Sequence, residues 1–209
     1  MGAVPLFDLR HTHPTVAKRL EEQAVPWAIL DEIGTLTEAV GRMGVALGAL
    51  WERQTGVWVG REVRIARDVT LTPPCVILDG SEIRPNAYLR GNTLIGEGCV
   101  VGNATEIKNA ILFDGVQAPH FSYIGDSVLG YRAHLGAGVI LSNLRLDRAE
   151  VRGAWEPPYP TGRRKAGALI GDGAEIGCHS VISPGALIPP GARIPPLTHV
   201  TGRWRQTEK

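Results

Sequence analysis

Aliphatic residues return at every sixth position over most of this chain, in three runs that share one spacing. The runs are Val59, Ile65, Leu71, Ile77, Ile83, Leu89, Ile95, Val101, Ile107 and Phe113; Leu129, Leu135 and Leu141; and Ile170, Ile176, Ile182, Ile188, Ile194 and Val200. An amphipathic helix repeats every ~3.6 residues and a half-buried strand about every two, so neither produces this pattern. A hexapeptide β-helix does, because each unit is a short strand and a turn with one aliphatic side chain in a narrow core.

The turn residues favour the same fold. The chain has 26 Gly and 15 Pro but only 6% aromatic residues, which is more turn chemistry than a helical bundle uses. Gly often follows the aliphatic residue, as in Val59-Gly60 and Ile176-Gly177, and Gly accepts the strained backbone of a tight turn. We therefore predict an all-β solenoid over residues 57–203, followed by a short tail at 204–209.

Residues 1–56 follow a different pattern. Thr35-Leu36-Thr37-Glu38 has the form of a capping box, and apolar residues follow it at helical spacing. We predict one helix over about 36–53 and a weaker one near 15–23. Their simplest role is a cap over the open first coil of the solenoid; the alternative is an oligomerisation segment that contacts a neighbouring subunit.

Two breaks interrupt the grid. In the first, at Gln117–Tyr123, the frame shifts, since Ile124 and Leu129 are five residues apart. The second, an insertion at 144–167, is longer than an ordinary connection, and such loops tend to be functional. The insertion carries six basic and three acidic residues, which suits a phosphate-bearing ligand. The basic residues are Arg145, Arg148, Arg152, Arg163, Arg164 and Lys165.

The polar residues between the core positions form a specific series. It reads Arg84-Pro-Asn-Ala, Val101-Gly-Asn-Ala-Thr-Glu-Ile-Lys108-Asn, Pro119-His120-Phe-Ser-Tyr123-Ile-Gly-Asp126, His134-Leu-Gly-Ala137-Gly and Ser142-Asn143. Over residues 57–200 the chain resembles the hexapeptide-repeat acyltransferases, in particular the acetyltransferase half of the bifunctional N-acetylglucosamine-1-phosphate uridyltransferases. The resemblance implies a left-handed parallel β-helix in which three hexads make one triangular coil.

The resemblance also implies roles for individual residues. It makes His120 the general base and places acetyl-CoA contacts at Ala137 and at Cys178, where the family usually has Ser. The contacts to the acceptor's phosphate and sugar fall on Arg84, Lys108, Tyr123, His134, Asn143 and Lys165. It implies a homotrimer in which neighbouring subunits share each acceptor site.

The residue types suit this chemistry independently. Acylation of an amine by a thioester needs the ammonium deprotonated, and a His with a pKa near the working pH can accept that proton. A sugar phosphate needs fixed cations, which Arg and Lys supply. The tetrahedral oxyanion needs backbone N–H donors, which the Gly136-Ala137-Gly138 turn can present. Each of these residues also has a plain reading as a surface or packing residue.

The chain departs from the family pattern at three points. His134 stands where the pattern has Asn, and the stretch after Asn143 lacks the N-Y-D-G sequence. No nucleotidyltransferase domain with its G-x-G-T-R-M loop precedes the solenoid, so we expect no sugar-nucleotide synthesis from this chain alone. If His134 lies close to His120, each protonated ring disfavours protonation of the other.

A zinc site is the main rival chemistry, because some proteins of this fold are zinc carbonic anhydrases that use three His. Here His120, His134 and His179 are widely spaced and form no close pair. The three cysteines, Cys75, Cys99 and Cys178, include no C-x-x-C pair, which argues against a thiolate metal site or a disulfide framework. We therefore expect no tightly bound metal and a reducing compartment.

Charge and hydropathy exclude other classes. A net charge of +1 shows no footprint of nucleic-acid binding, and no apolar run is long enough for a membrane span. The chain start has neither a signal-peptide layout nor a myristoylation motif, so we expect a cytoplasmic protein.

The sequence thus predicts an acetyl-CoA-dependent N-acetyltransferase for an amino sugar phosphate, with glucosamine 1-phosphate as the first choice. One alternative is an acyltransferase for another amino or hydroxyl sugar. The other is a non-catalytic solenoid that binds a sugar nucleotide and assists a separate uridyltransferase.

Overall fold

The structure is a computed structural model that describes residues 6–205. Two ranges lie outside the described residues: 1–5, where we expect no signal peptide, and 206–209, which make up most of the predicted tail. Two α-helices, α1 (Pro14–Glu22) and α2 (Ile33–Ala46), and two 3-10 turns, Leu9–His11 and Pro26–Asp31, form the N-terminal segment. Among the described residues, no helix combines the length and the apolar character needed to cross a membrane.

The rest of the chain consists of short strands. In chain order they are β1 (Trp51–Gln54), β2 (Val57–Val59), β3 (Arg64–Ile65), β4 (Thr70–Leu71), β5 (Cys75–Ile77), β6 (Glu82–Ile83), β7 (Tyr88–Leu89), β8 (Thr93–Ile95), β9 (Val100–Asn103), β10 (Glu106–Leu112), β11 (Gln117–His120), β12 (Tyr123–Leu129), β13 (His134–Leu135), β14 (Ile140–Leu141), β15 (Arg152–Gly153), β16 (Tyr159–Pro160), β17 (Ala168–Ile170), β18 (Glu175–Ile176), β19 (Val181–Ile182), β20 (Ala186–Ile188), β21 (Arg193–Ile194) and β22 (His199–Val200). The predicted all-β fold with a short helical N-terminal segment is confirmed.

Apart from the antiparallel pairs β1–β2 and β15–β16, the strands pair in parallel, each with the strand one coil further along, and build a solenoid of about eight turns. Its three faces repeat in a fixed order. The polar face comprises β3, β6, β9, β11, β13, β18 and β21. The open face comprises β4, β7, β14, β19, β22 and the first halves of β10 and β12. The helix-covered face comprises β2, β5, β8, β17, β20 and the second halves of β10 and β12.

The inward-facing aliphatic side chains form one continuous core along the solenoid. One expected core position is wrong, because Phe113 packs with the N-terminal segment and Leu112 points into the solenoid core instead. The step from Ile107 to Leu112 is therefore five residues, like the step from Ile124 to Leu129. The coil shortens at these two stacked turns, between the open and helix-covered faces. The frame of the repeat therefore shifts at these turns and not at Gln117–Tyr123, where it was predicted.

The N-terminal segment packs along the side of the solenoid. It covers a column of apolar side chains that point outward from the helix-covered face, all of them buried. The column is Trp58, Val76, Leu94, Ile111, Val128, Leu169 and Leu187. Helix α2 lies across β1, β2, β5, β8 and β10, and Gly41 allows its close approach, because a Cβ there would overlap the ring of Trp58. The first coil meets β1, which pairs antiparallel with β2, rather than the predicted helical cap.

The helix boundaries also differ from the prediction. Helix α2 begins at Ile33, so Thr35 lies inside its first turn and the expected capping box does not form. It ends at Ala46, and residues 51–54 form the added strand β1, because an edge of the first coil is there to pair with. The weaker helix predicted near 15–23 matches α1, where His13 caps the N-terminus by accepting a hydrogen bond from the Thr15 N–H.

Candidate active site

Three of the sequence-predicted residues meet where the open face turns into the helix-covered face, which we call the Asp126 edge. Asp126 is buried, with 1% of its surface exposed, and its carboxylate accepts hydrogen bonds from two side-chain amides. Asn109 donates to Oδ1 at 2.9 Å and Asn143 donates to Oδ2 at 2.6 Å. The Lys108 ammonium lies 3.5 Å from Oδ2. Asn143 also donates to the hydroxyl oxygen of Tyr123 at 3.1 Å.

Register explains why these side chains meet. Asn109 and Asp126 occupy the two shortened turns, one coil apart, and both have left-handed backbone, with φ of 50° and 47°. Asn and Asp tolerate that conformation better than most residues. Tyr123 opens the strand of the same coil, and its ring crosses the Cα of Gly125 to reach Asn143. A Cβ on Gly125 would lie 2.7 Å from the Tyr123 hydroxyl oxygen, so only Gly leaves this path open.

The inserted loop begins at the same edge, directly after Asn143. A bridge between Leu144 and Lys165 closes its base, and β15 pairs with β16 further out. Arg163 reaches from the loop to Asp126 Oδ1 at 3.4 Å and also pairs with Asp31 of the N-terminal segment. Its Nε donates to the Lys165 carbonyl at 3.1 Å. The backbone of the predicted Lys165 thus lies beside Leu144, and the N–H of the next residue, Ala166, donates to the Asn143 carbonyl.

A second group lies where the polar face turns into the open face, which we call the His120 edge. His120 is exposed and aligns with Asn103 of the preceding coil. The coils that follow stack Ala137 and then Cys178 above it: the Gly138 N–H donates to the His120 carbonyl, and the His179 N–H to the Ala137 carbonyl. The predicted base and the two predicted acetyl-CoA contacts therefore form one column. A groove of about 410 Å³ beside Cys178 follows the polar face.

The remaining two predicted residues lie on the polar face, Arg84 one register position before the His120 column and His134 further along the strand from it. Arg84 pairs with Glu82 at 3.1 Å, two coils before His120. His134 Nδ1 lies 3.2 Å from Glu175 Oε2. His134 is in register with Gln117, and His120 follows Gln117 by three residues, or about 10 Å along the strand. The structure thus does not bring the two His rings together within one chain.

Electrostatics at the Asp126 edge favour a neutral hydroxyl on Tyr123. Burial raises the pKa of this phenol, and the charges of Asp126 and Glu106 add to that effect, while the hydrogen bond from Asn143 opposes it. Tyr123 therefore keeps its proton at neutral pH and has an O–H to donate. Among residues 6–205, no cluster of His, Cys, Asp and Glu has the geometry to hold a metal ion.

Sequence reasoning missed the residues that connect this edge. Asp126 was only part of a motif, and Asn109 and Arg163 had no assigned role. The five-residue steps after Ile107 and Ile124 were the available signal, because equal shortening of consecutive coils places their turns in register.

Comparisons with known proteins find similar families, curated relatives and solved structures. The model of the GMPPB C-terminal domain family matches residues 71–152. "Bifunctional protein GlmU" of Methanococcus maripaludis is 41% identical over 93 residues, which is 44% of this chain and 23% of the relative. "Bifunctional sugar-1-phosphate nucleotidylyltransferase/acetyltransferase" of Sulfurisphaera tokodaii is 38% identical over 99 residues, or 47% of this chain and 25% of the relative.

A solved structure, the acetyltransferase domain of PglB from Neisseria gonorrhoeae in complex with acetyl coenzyme A, aligns at 12% identity and a TM-score of 0.37. It covers 78% of this chain and 64% of that one. The chain spans about a quarter of the length of the two curated relatives. With its β-solenoid, it resembles the hexapeptide-repeat acyltransferases and, among them, the acetyltransferase domain of GlmU, as the sequence predicted.

Proposed function

We propose that this chain is an acetyl-CoA-dependent N-acetyltransferase of amino sugar phosphates, with glucosamine 1-phosphate as the leading acceptor. The observation that carries the proposal is the arrangement of the open face. One border holds the His120 column, and the other holds Lys108, Tyr123 and Asn143. The relative from Sulfurisphaera tokodaii is named as a sugar-1-phosphate nucleotidylyltransferase/acetyltransferase, which supports the same reaction class.

In the proposed reaction His120 removes a proton from the acceptor's ammonium. The free amine nitrogen attacks the thioester carbonyl carbon, a C–N bond forms, and the C–S bond breaks as the tetrahedral intermediate collapses. The nitrogen loses its second proton to solvent, and coenzyme A leaves as a thiolate that takes up the proton held by His120. Backbone N–H groups near Gly136 and Ala137 are the proposed donors to the oxyanion, and Lys108 and Lys165 the proposed partners of the phosphate.

We also propose that the chain acts as a homotrimer in which a neighbouring copy covers the His120 edge. Phe121, directly after the proposed base, is 58% exposed, and Leu197 on the same edge is 81% exposed. Phe121 has a φ of 51°, an unusual conformation for a bulky residue. The N-terminal segment occupies the helix-covered face, which leaves the polar and open faces for such contacts.

The test is release of free thiol from acetyl-CoA with a panel of acceptors: glucosamine 1-phosphate, glucosamine and a hydroxyl sugar phosphate. Turnover with glucosamine 1-phosphate supports the proposal. Turnover only with another acceptor would favour the alternative that the His134 and loop departures suggest. If no acceptor releases thiol while a UDP-sugar binds in calorimetry, the chain is a non-catalytic partner of a separate uridyltransferase.

A further inference from the structure

The Asp126 carboxylate fixes the orientation of a neighbouring amide. A carboxylate only accepts hydrogen bonds when ionised, so the NH₂ end of Asn143 must face Asp126. Both N–H groups of Asn143 are then used, one by Asp126 Oδ2 at 2.6 Å and one by the Tyr123 hydroxyl oxygen at 3.1 Å.

This arrangement leaves two complementary groups side by side. Within residues 6–205, the Asn143 Oδ1 accepts no hydrogen bond from a protein donor, so it is an available acceptor. The Tyr123 oxygen already accepts from Asn143, and its raised pKa keeps the O–H as an available donor. Lys108 adds a cation, since its ammonium lies 3.5 Å from Asp126. Such a site suits a ligand that has a hydrogen-bond donor, to pair with Asn143 Oδ1, next to oxygen atoms that accept from the Tyr123 O–H and Lys108.

We propose that Asp126 is a positioning residue that sets the hydrogen-bond polarity of the acceptor site. It holds Asn143 Oδ1 toward an N–H or O–H group of the sugar and leaves Tyr123 O–H and Lys108 to the sugar's oxygens. The inference rests on the proposed function, because it assigns the acceptor to this edge. Asp126 acts through Asn143 and Tyr123 and touches no substrate atom itself.

Asp126 also has a purely structural connection, which the test must separate from positioning. Through Arg163 it links the inserted loop to Asp31 of the N-terminal segment, and through Asn109 it reaches the Leu30 carbonyl. Asp126→Asn preserves shape and tolerates left-handed backbone, but its new NH₂ can donate to Asn143 Oδ1 and reverse the Asn143 amide. Asn109→Gly is the matched control: it removes another amide from the same carboxylate, suits φ of 50° and leaves Asn143 in place.

The experiment compares acceptor and donor kinetics in these two variants. We expect Asp126→Asn to raise KM for the acceptor by about 10- to 100-fold, the usual effect of leaving a polar group of the site unpaired. KM for acetyl-CoA should change by less than about twofold, which is less than the loss of one hydrogen bond would cause. Asn109→Gly should leave both KM values within the same limit. Equal losses for donor and acceptor, or equal losses in the two variants, would overturn the positioning role.

A second measurement does not depend on turnover. The side-chain NH₂ signals of Asn143 in the ¹⁵N–¹H spectrum should be protected from exchange in the unmodified protein and in Asn109→Gly. In Asp126→Asn this protection should be lost, because the NH₂ then faces solvent. Absence of protection in the unmodified protein overturns the inference, whereas absence of acetyl transfer with protection intact overturns the proposed function alone.

Discussion

The two borders of the open face differ in how many of their functional side chains are buried and hydrogen-bonded within one chain. At the Asp126 edge, a buried carboxylate, two amides and two cations contact each other, and the inserted loop and N-terminal segment pack around them. At the His120 edge, the side chains of His120, Phe121 and Cys178 are exposed. The contrast indicates that the first edge is preorganised within one chain and that the second becomes complete only with a further molecule, the acyl donor or another copy.

The largest expected effect tests the chemistry of the exposed edge. His120→Ala should lower acetyl transfer by about 10²- to 10⁴-fold, the usual contribution of a general base. Its circular dichroism should not change, since the imidazole is exposed within one chain. The matched control is His199→Ala, which removes an open-face His that contacts Ser183 at 2.8 Å, away from this edge. Transfer at the unmodified rate in His120→Ala would remove His120 from the mechanism.

The next effect concerns the preorganised edge. Lys108→Ala should raise KM for a phosphorylated acceptor by about 10- to 100-fold, the effect of losing one charged hydrogen bond. KM for an unphosphorylated acceptor should rise far less.

Arg84→Ala should show the same selectivity for the phosphorylated acceptor if Arg84 leaves Glu82 to bind phosphate, as the resemblance implies. In each variant, steady-state kinetics with the two acceptors provide the measurement; equal losses on both would place that cation outside the phosphate site.

Oligomerisation tests whether another copy covers the His120 edge. Phe121→Asn should weaken self-association by about 10-fold per contact, because a large apolar side chain loses its burial while Asn tolerates the left-handed backbone. Sedimentation velocity over a range of concentrations measures the shift. Leu146→Ser is the control, since Leu146 is fully exposed on the inserted loop. An unchanged association in Phe121→Asn, or an equal loss in the control, would argue against this contact.

A smaller effect tests the N-terminal segment that supports the Asp126 edge. Burial lowers the pKa of His13 below its usual value, although the charge of Asp114 partly opposes this, and the neutral ring caps α1. The unfolded chain therefore binds the proton first, and stability should fall as the pH drops from about 6.5 toward the lowered pKa of the folded state.

His13→Asn keeps a capping side chain but cannot titrate, so this loss of stability toward acid pH should disappear. Thermal unfolding between pH 8 and pH 5 compares the two proteins. Parallel curves would show that His13 does not contribute to the pH dependence.

The smallest expected effect concerns His134. Because it pairs with Glu175 on the polar face, about 10 Å along the strand from the position of His120, His134→Asn should leave the acid limb of the rate profile in place. A pH–rate profile with glucosamine 1-phosphate measures this. An upward shift of the acid limb would show that the two rings interact, for example between neighbouring copies.

The sequence by itself determined the solenoid, because a core that admits one aliphatic side chain per strand imposes a period of six on any chain that fills it. Its series of motifs also predicted roles for Lys108, Tyr123 and Asn143, whose side chains meet around Asp126 in the structure. It found the five-residue step from Ile124 to Leu129 but missed the one from Ile107 to Leu112, since Phe113 continues the period of six and only packing against the N-terminal segment distinguishes it from Leu112.

The tertiary structure alone decided which residues stack one coil apart. Burial of Asp126, its contacts with Asn109 and Arg163, and the separation of His134 from His120 all depend on register between coils and on where a distant segment packs. Such contacts join residues up to 132 positions apart in the chain, as between Asp31 and Arg163. A local repeat carries no information at that range, because its pattern specifies which side chains point inward and not which polar side chains meet at an edge.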